Sequence, residues 1–204
     1  MPAIIIEKSV TRHPVDVETV TVDIIENALA NARREMDHVV FRAAMSTIMR
    51  DQRDAFPLIT DRDGTMIVGQ FGSPIAGFMR GYNGTVEEGD IFLTSDPYAC
   101  DGAITHANDW LVIKPIYVEG RLTGWSGIFG HMTDIGGRLP GSMPISSTEL
   151  FEEGIVIPPT KICRNDEIQQ DLLALILHNC RSPTSNRADL MALKIGRASC
   201  RERV

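Results

Sequence analysis

Cysteine is sparse: four in 204 residues, at positions 100, 163, 180 and 200, with no CxxC pair. That spacing excludes a disulfide framework and a CxxC-type structural zinc site, and it points to a reducing compartment, the cytoplasm. Apolar runs are short. None reaches the roughly 18–20 residues of a membrane span, and Ala3–Ile6 is too brief for a signal-peptide core. Basic residues are outnumbered, 20 Lys and Arg against 27 Asp and Glu, for a net charge of −7. Phosphate backbones demand the opposite balance, so no nucleic acid is expected as a partner, and no membrane. There is no Walker A string, no GxGxxG opening a helix after a strand, and no GxSxG elbow. A nucleotide site on this chain is therefore not expected. With 43% hydrophobic and 23% charged residues the composition is that of an ordinary globular protein, which excludes disordered and collagen-like classes.

The length suits one large domain or a piece of something larger. The segment IGRASCRERV, Ile195–Val204, changes composition abruptly and carries three arginines and one of the four cysteines. It resembles the in-frame translation of a sequencing-adapter oligonucleotide. The expectation is therefore a native part, 1–194, followed by a non-native tail, 195–204. Without the tail's three arginines and one glutamate the chain holds 17 basic and 26 acidic residues, a net charge of −9.

Met1–Pro14 reads as an extended lead-in. From Val17 to Met49 apolar residues recur every three or four positions, with neither Gly nor Pro, which predicts one long amphipathic helix or two in tandem. Pro57–Thr60, Thr65–Val68 and Ile91–Thr94 read as short strands, with a turn at Asp63-Gly64. Gly69–Gly84 is expected to be loop with a short helix. Trp110–Val118 and Leu122–Gly130 form a stronger hairpin through Glu119-Gly120, and such continuous apolar strands lie in a sheet covered on both faces. Gly136–Pro159, rich in Gly and Pro, predicts an ordered irregular loop, and Asp166–Cys180 a C-terminal helix. The class is α+β: long N-terminal helix, β-rich middle of mixed or antiparallel strands, C-terminal helix.

Three histidines, His13, His38 and His178, sit in ordinary surface or packing contexts, the last at a helix end that suits an imidazole. The other two differ. His106 stands three residues before Asp109, and the predicted hairpin returns His131 to their neighbourhood. Two imidazoles and a carboxylate suit Mn, Fe or Zn better than Ca or Mg. Polar loop residues satisfying turns fit the same spacing. In MRDQRDAF, Asp51 and Asp54 alternate with Arg50 and Arg53, either as ion pairs at a helix end or with one of them completing a metal shell. Asp96 and Asp101 are placed to orient an imidazole. Asp134, three residues after His131, can do the same or carry a proton. Cys100 reads as a packed thiol or, near His106, a nucleophile.

The strings RDQRDAFPLITDRDG, EEGDIFLTSDPYACDGAITHANDWLVIKPIY, GHMTDIGGRLPGSMP, TELFEEGIVIPPTKI and LILHNCRSP occur in this order over most of the chain. In these strings the chain resembles the hydantoinase B/oxoprolinase family, which includes large subunits of N-methylhydantoinase and of acetone and acetophenone carboxylases. It departs from the usual pattern at SDPYACDGAITH, where members read NDPY and a GGTH-like turn, and at Ala55-Phe56, where they carry Phe-Ser. The resemblance implies that His106, Asp109 and His131 bind a catalytic divalent metal, with Asp51 as acidic fourth ligand. It also implies a hydantoinase A-like partner subunit that binds ATP and phosphorylates an amide or enol oxygen. The expected function is thus the metal-binding part of an ATP-dependent cyclic-amide hydrolase, with a ketone carboxylase subunit or a non-catalytic assembly module as alternatives. The expected substrate is a small cyclic amide or a ketone. Family members are much longer, so the chain is expected to be an N-terminal fragment, inactive alone.

Overall fold

The computed structural model describes residues 16–198; the predicted lead-in, with His13, and residues 199–204 of the expected tail lie outside them. Five helices are described: α1 (Thr19–Ala43), α2 (Thr47–Arg50), α3 (Pro74–Gly81), α4 (Gln170–His178) and α5 (Pro183–Ala198). Seven strands accompany them: β1 (Ala55–Asp61), β2 (Met66–Val68), β3 (Ile91–Thr94), β4 (Asp109–Val118), β5 (Arg121–His131), β6 (Thr160–Arg164) and β7 (Glu167–Ile168). The strands form one sheet in the order β2-β1-β5-β4-β3-β6-β7, antiparallel at every pairing.

The long helical stretch is two helices in tandem. Ser46 ends the gap between them by accepting a hydrogen bond from Met49 N at 3.2 Å, an ordinary N-cap. Asp189 of α5 reinforces the break, since one carboxylate oxygen accepts from Met45 N and Ser46 N at 2.7 and 3.0 Å. Along α1 only Ala32, Met36 and Val40 are buried, one residue per turn. They meet α5, whose Gly196 packs so near Val40 that a Cβ there would lie 2.2 Å from its Cγ2. The composition shift at Ile195 therefore falls within α5.

The hairpin strands are covered on both faces. Trp110, Val112 and Ile128 face the layer of α1, α4 and α5. Leu111, Ile113, Trp125 and Phe129 face α3 with Ile75 and Phe78. Alternation at period two inside an unbroken apolar run is how a strand buries both its faces. Each of these large side chains contributes about 1.5–3 kcal/mol by leaving water. On the α3 side Gly77 lets the helix ride against the Cys100 backbone, where a Cβ would meet Cys100 O at 2.6 Å. The segment 136–159 is irregular as expected, with one short 3₁₀ turn at Leu150–Glu152. β6, β7 and α5 were not anticipated.

Candidate metal centre

The β4–β5 hairpin turns through Glu119 and Gly120, both at positive φ (50° and 73°), the pairing a tight right-twisting turn requires. Its register then sets Asp109, the first residue of β4, opposite His131, the last of β5. His106 comes from the turn just before β4, where its carbonyl accepts from Asp109 N at 3.3 Å. Each residue of this trio offers a ligand atom, and the three atoms lie within 4.8 Å of one another. Asp109 divides its oxygens between the rings: Oδ1 lies 3.2 Å from His131 Nδ1 and Oδ2 lies 3.5 Å from His106 Nε2. The imidazole centroids are 5.1 Å apart and steeply inclined. All three side chains are largely buried. His106 Nδ1 is fully so and has no hydrogen-bond partner, which is uncommon for a buried polar atom. A donor set of two imidazoles and one carboxylate, with one imidazole nitrogen unsatisfied, fits a divalent transition ion or zinc.

Asp51 is not brought to this trio. It is the C-cap of α2, and Arg50 forks onto its exposed carboxylate at 2.9 and 3.1 Å, which holds the carboxyl below its ordinary range. Asp54 is the acidic neighbour of the site. Its carbonyl accepts from His131 N at 3.1 Å, and the next residue, Ala55, pairs with Gly130. Asp54, just before β1, thus lies level with His131 of β5 and Asp109 of β4 along the backbone.

Asp134 is turned into the loop that follows β5. Its carboxylate accepts from Gly136 N and Gly141 N at 2.9 and 2.8 Å, from Ser142 Oγ at 3.2 Å, and from Arg181 Nη1 at 3.2 and 3.3 Å. Burial pushes this carboxyl up, yet the assembled donors outweigh it and hold it below its ordinary value. Arg181 also donates to the carbonyls of Gly136, Gly137 and Leu139, so the pair staples the loop. Asp96 accepts from Tyr98 N and Ala99 N within its own turn, and Asp101 pairs with Arg80. Cys100 is buried, and that burial pushes its thiol up to about 12, so the residue is packed and unreactive.

Two supporting residues escaped sequence reasoning. Glu153 Oε2 accepts from Ala107 N at 2.8 Å, and Asn108 Nδ2 donates to Met132 O and Gly141 O at 3.1 and 3.3 Å. They fix the two sides of the His106–Asp109 turn. The only sequence signal for Glu153 was its place in the EEG string.

A family model described as hydantoinase B/oxoprolinase matches residues 18–204. The chain belongs to this family. Within the family it is 30% identical over 199 residues to caprolactamase subunit beta of Pseudomonas jessenii, covering 92% of this chain and 33% of that one. It is also 30% identical over 149 residues to the acetophenone carboxylase delta subunit of Aromatoleum aromaticum, covering 68% and 21%. The crystal structure of the ATP-dependent caprolactamase from Pseudomonas jessenii superposes with a TM-score of 0.82 at 25% identity, over 93% of this chain and 34% of that chain. The chain thus spans between about a fifth and about a third of the length of these relatives. The caprolactamase structure shares the α+β fold found here over the matched region. Both sequence relatives are subunits of larger enzymes. Among the described residues no helix is long and apolar enough to cross a membrane.

Proposed function

We propose that this chain is the metal-holding part of an ATP-dependent cyclic-amide hydrolase that works with a hydantoinase A-like subunit carrying the ATP. The observation that carries this reading is the convergence of His106, Asp109 and His131 at one end of the β4–β5 hairpin. The chain's own residues do three things. The hairpin register holds the Asp109 carboxylate between two imidazoles, Glu153 and Asn108 fix the turn that delivers His106, and the Asp134–Arg181 staple fixes the loop after His131. The chemistry a divalent ion supplies when bound there is polarisation of a carbonyl and a lowered pKa for water. Phosphorylation by the partner would turn a stable amide oxygen into a leaving group. Of the two acidic residues in MRDQRDAF, Asp54 is the one whose backbone is tied to His131, and on that ground we assign it the place of acidic fourth ligand. We also place the chain in the cytoplasm, because Cys100, Cys163 and Cys180 are buried thiols outside any disulfide.

Ketone carboxylation is the second reading, supported by the acetophenone carboxylase relative at the same 30% identity. Elemental analysis tests the shared core of both. Purified chain should retain a divalent Mn, Fe or Zn ion that His131→Ala and His106→Ala each lose. Unchanged metal content in these variants would remove the histidines from the ligand set and leave the assembly-module reading.

A further inference from the structure

The chain carries a net charge of −7, yet four of its arginines converge on one cleft. This cleft, of about 430 Å³, lies between the second half of α1 and the turn that follows α2, and Arg34, Arg42, Arg50 and Arg53 line it. Asp37 is its single carboxylate, and Arg33, outside the lining, pairs with it at 3.5 Å. Arg34 and Arg50 are partly engaged, Arg34 Nε by Ala30 O at 3.4 Å and Arg50 by the carboxylate of Asp51. Arg42 and Arg53 are not. Neither guanidinium donates a hydrogen bond or forms a salt bridge among the described residues. Arg53 holds a positive φ of 58°, uncommon for any residue but glycine, and stands its guanidinium 5.8 Å from the centre of the Phe41 ring. Two unpaired guanidiniums, one from α1 and one from the turn after α2, therefore line a single cavity. It lies across the sheet from the trio. Trp110 and Ile128 share a core with Ala32, Met36 and Val40 of α1. Alternation at period two puts Asp109 with Leu111, and His131 with Phe129, on the opposite, α3 side.

We propose that this cleft is an anion site that binds a phosphate group, free or carried on a small molecule. A carboxylate offers two oxygens to one planar fork, whereas a phosphate has oxygens for several forks at once, so converging guanidiniums favour the phosphate. The volume falls within the range of small-molecule sites and exceeds what a bare phosphate fills, and Phe41 supplies an apolar wall for the group that carries it. Binding there is independent of the trio and of the reaction proposed for it.

Phenyl phosphate and benzoate are the matched probes, one ring carrying a phosphate or a carboxylate. In ligand-detected NMR titrations of the full chain at fixed ionic strength, phenyl phosphate should bind and benzoate should bind at least about fivefold more weakly. The double variant Arg42→Gln, Arg53→Gln should weaken phenyl phosphate at least about tenfold, with an unchanged thermal midpoint because both side chains are exposed. Arg42→Lys, Arg53→Lys keeps the charge but not the planar forks and should weaken it about three- to tenfold. His131→Ala should leave phenyl phosphate binding as it is, which separates this cleft from an ion held at the trio. Inorganic phosphate, titrated alongside, identifies the source: weaker binding than phenyl phosphate assigns the cleft to an ester and equal binding to the free anion, and both support a phosphate site. Failure of both phosphates to bind, benzoate as tight as phenyl phosphate, lysine variants that bind like wild type, or an affinity untouched by the glutamine variants would overturn the proposal. So would loss of binding in His131→Ala, or tighter binding of a hexaglutamate peptide, the mark of an acidic protein partner.

Discussion

Asp109 and Asp134 stand at the same open end of the β4–β5 hairpin, one opening β4 and the other three residues past β5. Their side chains are comparably buried, 14% and 6% exposed. Their surroundings differ in kind. Asp134 is met by two backbone amides, a hydroxyl and a guanidinium, all donors that leave its lone pairs occupied. Asp109 faces two imidazoles, whose nitrogens can release their protons and become ligands in their own right. Burial alone does not separate a carboxylate whose lone pairs are all taken from one that could coordinate an ion. The inventory of donors around it does.

Removing each carboxylate should therefore damage a different property. Asp109→Ala should weaken divalent-metal binding by more than roughly the 10–100-fold that loss of a supporting residue costs. The unfolding free energy of the metal-free protein should change little. Competition against a chromophoric chelator, with a parallel urea titration, measures both. Should Asp109→Ala hold metal normally while unfolding early, the contrast collapses. Asp134→Ala should do the reverse, losing about 2–4 kcal/mol of stability as several buried donors go unpaired. Its metal affinity should fall far less. The acid limb gives a smaller effect. Because the folded carboxyl of Asp134 lies below its ordinary 3.8, its contribution is present above that pH and lost as pH falls through the lower folded value. Asp134→Asn should flatten the stability curve in that window and leave it parallel to wild type near neutrality.

Legibility in the sequence followed the physics of each element. The β4–β5 hairpin was readable because both strands are apolar throughout and Glu119-Gly120 can turn only one way. That alone returned His131 to Asp109. The split of α1 from α2 was readable only as an alternative, because the decisive partner, Asp189, lies over 140 residues away. β6 and β7 are too short to show a period, and α5 opens on the polar run Pro183–Arg187 before its apolar residues begin. Asp134 read as a chemical candidate because its three-residue distance from His131 is visible in sequence. The donors of Gly136, Gly141 and Arg181 are not.

The same blindness governs the pair in MRDQRDAF, where spacing offered two equivalent carboxylates. Arg53 adopts a positive φ of 58°, so the chain turns sharply between them as it leaves α2 for β1. Asp51 stays on the solvent side in the fork of Arg50, and the backbone of Asp54 comes level with His131 and Asp109. Asp54→Asn should accordingly weaken metal binding by about tenfold, the lower end of what loss of a supporting or outer ligand costs. Asp51→Asn should produce the smallest effect of all, with metal affinity and thermal midpoint both unchanged, because an exposed ion pair contributes little and this one touches nothing at the site. Parallel chelator competitions on the two variants decide between them. A reversed ranking would mean that α2 swings its end toward the trio when the ion binds, and that the Arg50–Asp51 fork opens to release the carboxylate.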